Sequence, residues 1–527
     1  MVVHALADAS GIPEPTLRLL LAVLAAYPAA LVQRALLTPK VGASTRNAVN
    51  VVLGLAIASF FCGTDLVHSL ATISTTWTLC KLGEVLRVPP KSRWLVAAAS
   101  FIFNFAYLLI AYYFHASESY DINWTTPQSV LTLRMIGFAF DWADGAKHLA
   151  TKPPATSRTT SDSGTDVKGA KSAQAKPTAA TPPARVVTED TRVPTAWAGD
   201  LSLVHVPSYL ETLGFAYFTG SFLVGPQFSF ALYRKYLSLD LFATYVPMGA
   251  KEAVPVNVPV KTLLKSSAGY AAKTFAKALL YLGVTQVLQM YFTSSVVLAP
   301  EFATAPYYER LYLAWWCGKT ALTKYVGIWL LTDGSCALSG LSFDGLYPDG
   351  QTARWTGLSN IRAWAFESAT SLGQIIAHFN INTNHWAKLY LFKRLKFLGN
   401  KQLSALGTLS FLAIWHGFHP GYAFAFALEF VDMEAERRLT RTVAPLVKAL
   451  SASAAGRVLV NVTCWLLTTS ALYYAALGFD LLTFQAIWQA FNALYWVGHI
   501  AVVVVLLITF IVPGPKRGGV SAAKKTQ

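Results

Sequence analysis

Residues 411–421 read FLAIWHGFHPG, an apolar run that carries two histidines, His416 and His419, before it meets Pro420 and Gly421. The fold turns on what solvent surrounds this stretch. In hydrocarbon an ionisable side chain is costly unless something satisfies it or uses it. The rest of the chain points to hydrocarbon. Of 527 residues, 54% are hydrophobic and 13% are charged, with a mean hydropathy of +0.42. An ordinary soluble domain carries about 25% charged residues. Half that fraction over so long a chain reads as a polytopic membrane protein. The formal net charge of +16 then marks basic loops that set topology and face anionic headgroups, not a nucleic-acid surface.

Working outward from 411–421, apolar runs of spanning character fall at 16–36, 48–62, 66–82, 94–114, 128–142, 209–233, 270–298, 308–331, 361–379, 403–428, 457–479 and 488–512. Residues 48–82 form one bent helix or two short ones, because Cys62, Gly63, Thr64 and Asp65 interrupt them. The expectation is an all-α transmembrane bundle of about eleven spans. The N-terminus lacks the basic region and cleavage site of a signal peptide, so the first run reads as a retained span. The five cysteines, Cys62, Cys80, Cys317, Cys336 and Cys464, are scattered. They have no zinc-type spacing and read as free thiols. Residues 151–196 are rich in Ser, Thr, Pro and Lys with almost no aromatics; such a segment cannot bury enough apolar surface to order itself and reads as a disordered loop. Residues 513–527 form a basic tail, placed in the cytosol by its charge. It ends in KKTQ, which fits the dilysine pattern that coat machinery uses to return membrane proteins to the endoplasmic reticulum.

Two clusters carry chemistry. His416, within WHG, is either a structural hydrogen-bonding group between helices or a general base, for which a side chain titrating near neutrality is suited. His419 reads as a rim histidine. The second cluster, FNINTNHW at 379–386, alternates Asn380, Asn382 and Asn384 with apolar residues. Amides of this kind cap helices and form turns, or donate to a developing oxyanion without titrating. A basic run, KLYLFKRLKFLGNK at 388–401, follows at once. It reads as an amphipathic interfacial helix and also as a landing site for phosphates through Lys393, Arg394, Lys396 and Lys401. A base, an amide donor and a basic mouth are together suited to acyl transfer from a phosphate-bearing thioester to a hydroxyl. A transporter with His416 in a proton relay is the competing class; the inverted repeats that it predicts are not found in the sequence.

The pair FNINTN and WHG, with Asn380 and His416, resembles the membrane-bound O-acyltransferase family and, within it, the lysophospholipid acyltransferases. The stretches 120–145, 217–230, 330–345, 380–404 and 411–422 carry the same resemblance in order. It implies a helical bundle around a catalytic chamber, with N-terminal helices at 1–150 and a catalytic core at 197–512. It implies transfer from acyl-CoA, a co-substrate in a reaction without cofactor or metal, to the free sn-2 hydroxyl of lysophosphatidylcholine or a related lysophospholipid. Other hydroxyl acceptors (a sterol, diacylglycerol or a peptide) are the alternative. His416 matches the family's histidine and would be the base; Asn380 matches its asparagine and would orient the thioester or donate to the oxyanion. Glu367 or Asp333, with Trp364, Trp386 or Trp415, would face a choline headgroup or simply pack. The basic run at 388–401 falls on the lumenal side if 403–428 crosses the membrane, which conflicts with CoA arriving from the cytosol. The conflict lifts if 380–402 is re-entrant or interfacial, or if the His416 helix does not cross.

Overall fold

The computed structural model describes residues 2–115, 122–150, 193–247, 250 and 252–512. The loop expected at 151–196, except for 193–196, and the tail with its KKTQ lie outside the described residues. The principal helices are α1 (Glu14–Ala35), α2 (Ala43–Cys62), α3 (Leu66–Val85), α4 (Arg93–His115), α5 (Thr125–Asp144), α6 (Val260–Gln289), α7 (Tyr307–Ser339), α8 (Leu372–His378), α9 (Ile381–Ala387), α10 (Lys401–Trp415), α11 (Pro420–Thr442), α12 (Ala454–Leu481), α13 (Phe484–Ala493) and α14 (Val497–Ile511). The strands among the described residues are one antiparallel pair, Thr244–Tyr245 with Val254–Pro255.

The helices are amphipathic in the sense opposite to a soluble protein. Helix α4 turns Ala97, Ser100, Asn104 and Ala111 inward and exposes Leu95, Ile102 and Ile110. Helix α3 likewise buries Ser69, Thr72, Thr76 and Gly83. Small residues let the backbones approach, and polar ones pair across the gap, as membrane helices require. Thus the Asn104 amide donates to Thr76 Oγ1 at 2.7 Å. At Gly318 of α7 a Cβ would collide with the Tyr473 carbonyl of α12, so that contact needs glycine.

Among the described residues, four stretches are long and apolar enough to cross a membrane: α1, α2 with α3 (Ala43–Val85), Pro90–His115 and α12. Helices α13 and α14, bent by 74°, pass together as a broken span. Helices α2 and α3 meet through one tight turn at Gly63–Asp65, where the sequence placed the interruption. Length and apolarity thus account for four or five of the roughly eleven expected spans among the described residues. Residues 209–233 hold two short helices, Tyr209–Ala216 and Phe230–Ser238. Residues 361–379 hold Ala363–Glu367 and α8. The run 403–428 breaks between α10 and α11. Helix α10 has 15 residues, about 22 Å at 1.5 Å per residue, short of a hydrocarbon core of about 30 Å. Residues 403–428 are therefore not one unbroken helix.

The axis of the fold is α5. It buries side chains around its circumference, among them Leu131, Leu133, Met135, Ile136, Phe138 and Trp142. Its Arg134, 2% exposed, explains why 217–229 need not be helical. The guanidinium donates to the carbonyls of Phe215, Ala216, Ser221 and Pro226 at 3.0–3.2 Å and lies over the Phe228 ring. Irregular backbone inside a membrane protein must find such partners. One hydrophobic core runs from Ala22 to Trp415 and draws on helices from both sides of 151–192.

Candidate active site

The run 411–421 is where a helix stops and another starts. Helix α10 ends at Trp415, Gly417 takes φ +127, and Pro420 opens α11. Such a φ favours glycine, and a residue without an N–H fits a first helical position. His416 sits on this corner. Its imidazole is half-buried and ringed by Trp415, Tyr422, Phe426 and Phe479, with ring centroids at 4.6, 5.5, 5.5 and 5.1 Å. It makes no side-chain hydrogen bond among the described residues, so it is not the interhelical hydrogen-bonding group of the bland reading. Tyr422 and Phe426 are one turn apart on α11 and went unnoticed in the sequence; their spacing from His416 held the signal. His419 occupies the N-cap position of α11 without a side-chain capping bond and lies edge-on to Tyr422.

The three asparagines divide sharply. Asn382, fully buried, donates to the carbonyls of Leu358 and Ser359 at 3.1 and 3.2 Å and accepts from the Trp197 indole at 3.0 Å. Asn384 donates to the carbonyls of Ile376 and Phe379 at 3.0 and 2.9 Å. Both spend their amide protons on backbone and hold the turn. Asn380 sits in the left-handed region at φ +50, between α8 and α9. Asparagine tolerates that conformation better than most residues, and its occurrence away from glycine often marks a functional site. Its Oδ1 accepts from Asn360 at 3.2 Å, and its NH2 donates to no group among the described residues.

Helix α5 indexes the two corners to one another. The indole of Trp386, on α9, donates to the Leu133 carbonyl at 2.8 Å, and that of Trp415, beside His416, donates to the Ser129 carbonyl at 2.9 Å. These carbonyls are four residues apart on one helix, about 6 Å along its axis. Trp386 also stacks on Phe411 of α10, and Tyr112 of α4 donates to the Trp415 carbonyl at 3.0 Å. Trp386 and Trp415 thus brace the two corners against α5. Trp364 is 83% exposed. Glu367 pairs with Lys319, and Asp333 accepts from Tyr270 and Ser359 at 3.0 and 2.9 Å.

The basic run is not one helix. It passes through a π turn (Lys388–Phe392) and a 3-10 turn (Arg394–Leu398), then Gly399 at φ +66. Asn400 caps α10 through the Gln402 N–H at 2.8 Å. Arg394 is engaged: it pairs with Asp144 at 2.8 Å and lies 4.0 Å over the Phe140 ring. Lys393, Lys396 and Lys401 are exposed and carry no ion pair among the described residues.

The family model for the membrane-bound O-acyltransferases matches residues 109–477, which contain both corners and the basic run. The chain belongs to the membrane-bound O-acyltransferase family. This O-acyltransferase is accordingly a multi-pass membrane enzyme. Among similar proteins are the lysophospholipid acyltransferase 5 of Rattus norvegicus, 34% identical over 94% of this chain and 88% of its own, and that of Homo sapiens, 34% identical over 96% and 90%. The lysophospholipid acyltransferase 5 of Drosophila melanogaster is 32% identical over 83% of this chain and 74% of its own.

Proposed function

We propose that this O-acyltransferase moves an acyl group from acyl-CoA to the free sn-2 hydroxyl of a lysophospholipid, with lysophosphatidylcholine as the acceptor and a polyunsaturated acyl-CoA as the donor to test first. The observation that carries the mechanism is the pair of unspent groups. The His416 imidazole, in its aromatic ring, bonds to nothing among the described residues, and Asn380 keeps a free NH2.

In this reading His416 takes the proton of the lysolipid hydroxyl as that oxygen attacks the thioester carbonyl. Charge builds on the carbonyl oxygen, and Asn380 donates to it. The tetrahedral intermediate collapses, the carbon–sulfur bond breaks, and the imidazolium returns its proton to the departing sulfur. The products are a diacyl phospholipid and CoA thiol. The rings around His416 exclude water, which would otherwise hydrolyse the thioester and weaken each polar contact. Lys393, Lys396 and Lys401 supply positive charge for the CoA phosphates; Arg394, paired with Asp144, shapes that surface. The endoplasmic reticulum membrane is the proposed site of action, with coat machinery that reads the KKTQ at 524–527 as the proposed partner.

The test uses microsomes that express the chain, given lysophosphatidylcholine and a polyunsaturated acyl-CoA. Phosphatidylcholine should form with the native enzyme and fall by about 100-fold or more with His416→Ala at matched expression, the range for a lost general base. Full activity in the variant refutes the mechanism. Transfer only to sterol, diacylglycerol or peptide acceptors refutes the substrate class.

A further inference from the structure

The Asn380 carboxamide has two faces, and only one of them stabilises an oxyanion. Turned one way it offers N–H donors; turned the other it offers a carbonyl oxygen, which repels the developing charge. Heavy-atom positions do not distinguish the two, so the network must. Here the network starts from a group that cannot flip. The backbone N–H of Asn382 donates to the side-chain oxygen of Asn360 at 3.0 Å. A backbone N–H only donates, so Asn360 must turn its oxygen toward it. The Asn360 NH2 then faces Asn380, at 3.2 Å from Oδ1, and requires an acceptor there. Asn380 is obliged to turn its oxygen to Asn360 and its NH2 away.

Asn360 is built for this role. It is 2% exposed, and its own carbonyl accepts the Ile381 N–H at 3.0 Å, closing a second bond across the same turn. The neighbouring residues anchor it. The Ser359 hydroxyl donates to Asp333 at 2.9 Å, the Ser359 carbonyl accepts from Asn382 at 3.2 Å, and Ile361 bridges to Phe379. We infer that Asn360 is a positioning residue, which fixes the Asn380 carboxamide with its N–H donors presented to the thioester oxygen. This rests on the reading of Asn380 as the oxyanion donor.

The discriminating variant is Asn360→Asp. Aspartate keeps an oxygen for the Asn382 N–H, so the turn is retained. Its second oxygen accepts where Asn360 donated. Asn380 must now turn its NH2 inward and its oxygen outward. Steady-state transfer by the full chain in detergent should show kcat lowered about 100-fold, the size of a lost oxyanion donor, with KM for both substrates unchanged. Asn360→Ala should cost less in kcat than Asn360→Asp, because it frees the amide without reversing it. In an Asn380→Ala background, already impaired, Asn360→Asp should cost nothing further, since the two act through one group.

Native kcat in Asn360→Asp, a raised KM in place of a lowered kcat, or a larger loss from Ala than from Asp each overturns the inference. If the Asp variant is not recovered folded, Asn360→Ala is compared in the native and Asn380→Ala backgrounds. A loss confined to the native background supports the inference; equal losses overturn it. The two levels separate cleanly. Native kcat in Asn380→Ala removes the donor reading itself, whereas impaired Asn380→Ala with unimpaired Asn360→Asp removes only the positioning role.

Discussion

Gly137 lies on α5 between the two tryptophan braces and the basic run, and replacing it with alanine tests whether α5 indexes the site. A Cβ there would meet Trp386 Nε1 at 3.1 Å and Tyr390 Cε2 and Cζ at 3.2 and 3.3 Å. Neither neighbour is free to yield. The Trp386 indole is bonded to the Leu133 carbonyl at 2.8 Å and the Tyr390 hydroxyl to Asp141 at 2.7 Å, and both rings are at most 2% exposed. Overpacking of this kind costs about 1–3 kcal/mol. Against it stands the helix propensity of alanine over glycine, about 1 kcal/mol. The control is Gly269→Ala on α6, where a Cβ meets nothing within 4 Å. The propensity gain is common to both variants and cancels. Gly137→Ala should therefore be less stable than Gly269→Ala by about 1–3 kcal/mol. Movement of Trp386 also moves α9 and the Asn380 corner. A displacement on the order of 1 Å costs up to about 100-fold in rate, so kcat should fall in Gly137→Ala and stay native in Gly269→Ala. Thermal unfolding in detergent and steady-state acyl transfer read the two effects. Equal stabilisation of both variants with native kcat would refute the claim that α5 holds the site rigidly.

Removing the exposed charges together, Lys393→Ala, Lys396→Ala and Lys401→Ala, should raise KM for acyl-CoA several-fold at low salt, with a shrinking effect as salt rises and little change in kcat, because exposed charges are screened. A salt-independent loss of kcat would count against a phosphate-landing role. Asn382→Ala should destabilise the fold by about 1–3 kcal/mol, through the unpaired Trp197 indole and the orphaned turn carbonyls; urea or thermal unfolding of the purified enzyme measures it. Arg134→Met should leave four buried carbonyls short of a donor and yield little folded enzyme by size-exclusion chromatography; native yield would show that 215–226 finds other partners.

The helical membrane class was legible in the sequence and much of its internal path was not, for physical reasons. WHG and NINTN were conspicuous because polar side chains in apolar runs have few purposes. The interruption at Cys62–Asp65 was legible because Gly63 sits in it. Which apolar runs stay one helix was not, because apolarity reports burial and not the path of the backbone. Residues 209–233 are as apolar as a membrane helix, yet Arg134, some eighty positions earlier, supplies the donors that let 217–229 run irregularly. The single helix expected at 388–401 failed for a similar cause. Its amphipathic pattern is real, but Tyr390 and Arg394 are each drawn to an acid on α5, Asp141 and Asp144. Asn360 was invisible: it stands alone in TGLSNIRAW, and its partners are twenty residues away.

Both candidate catalytic groups sit where a helix is interrupted, and hydrocarbon makes that arrangement informative. Inside a membrane an unbroken helix satisfies its own backbone at no further cost. An interruption strands N–H and C=O groups that the protein must then pair. At the asparagine corner the pairing is specialised. Asn384 covers the carbonyls of Ile376 and Phe379, Asn382 those of Leu358 and Ser359, and Asn360 the N–H groups of Ile381 and Asn382. Three asparagines are thus committed to repairing the backbone, so that a fourth can hold φ +50 with its NH2 unspent. At the histidine corner the repair is smaller, since Gly417 turns the chain and Pro420 has no N–H to satisfy, and the imidazole is left with rings and no hydrogen bond among the described residues. A purely structural pair of corners would have used these two polar groups in its own repair. That both are withheld, at corners braced to one helix, is the strongest internal argument that they are kept for a substrate.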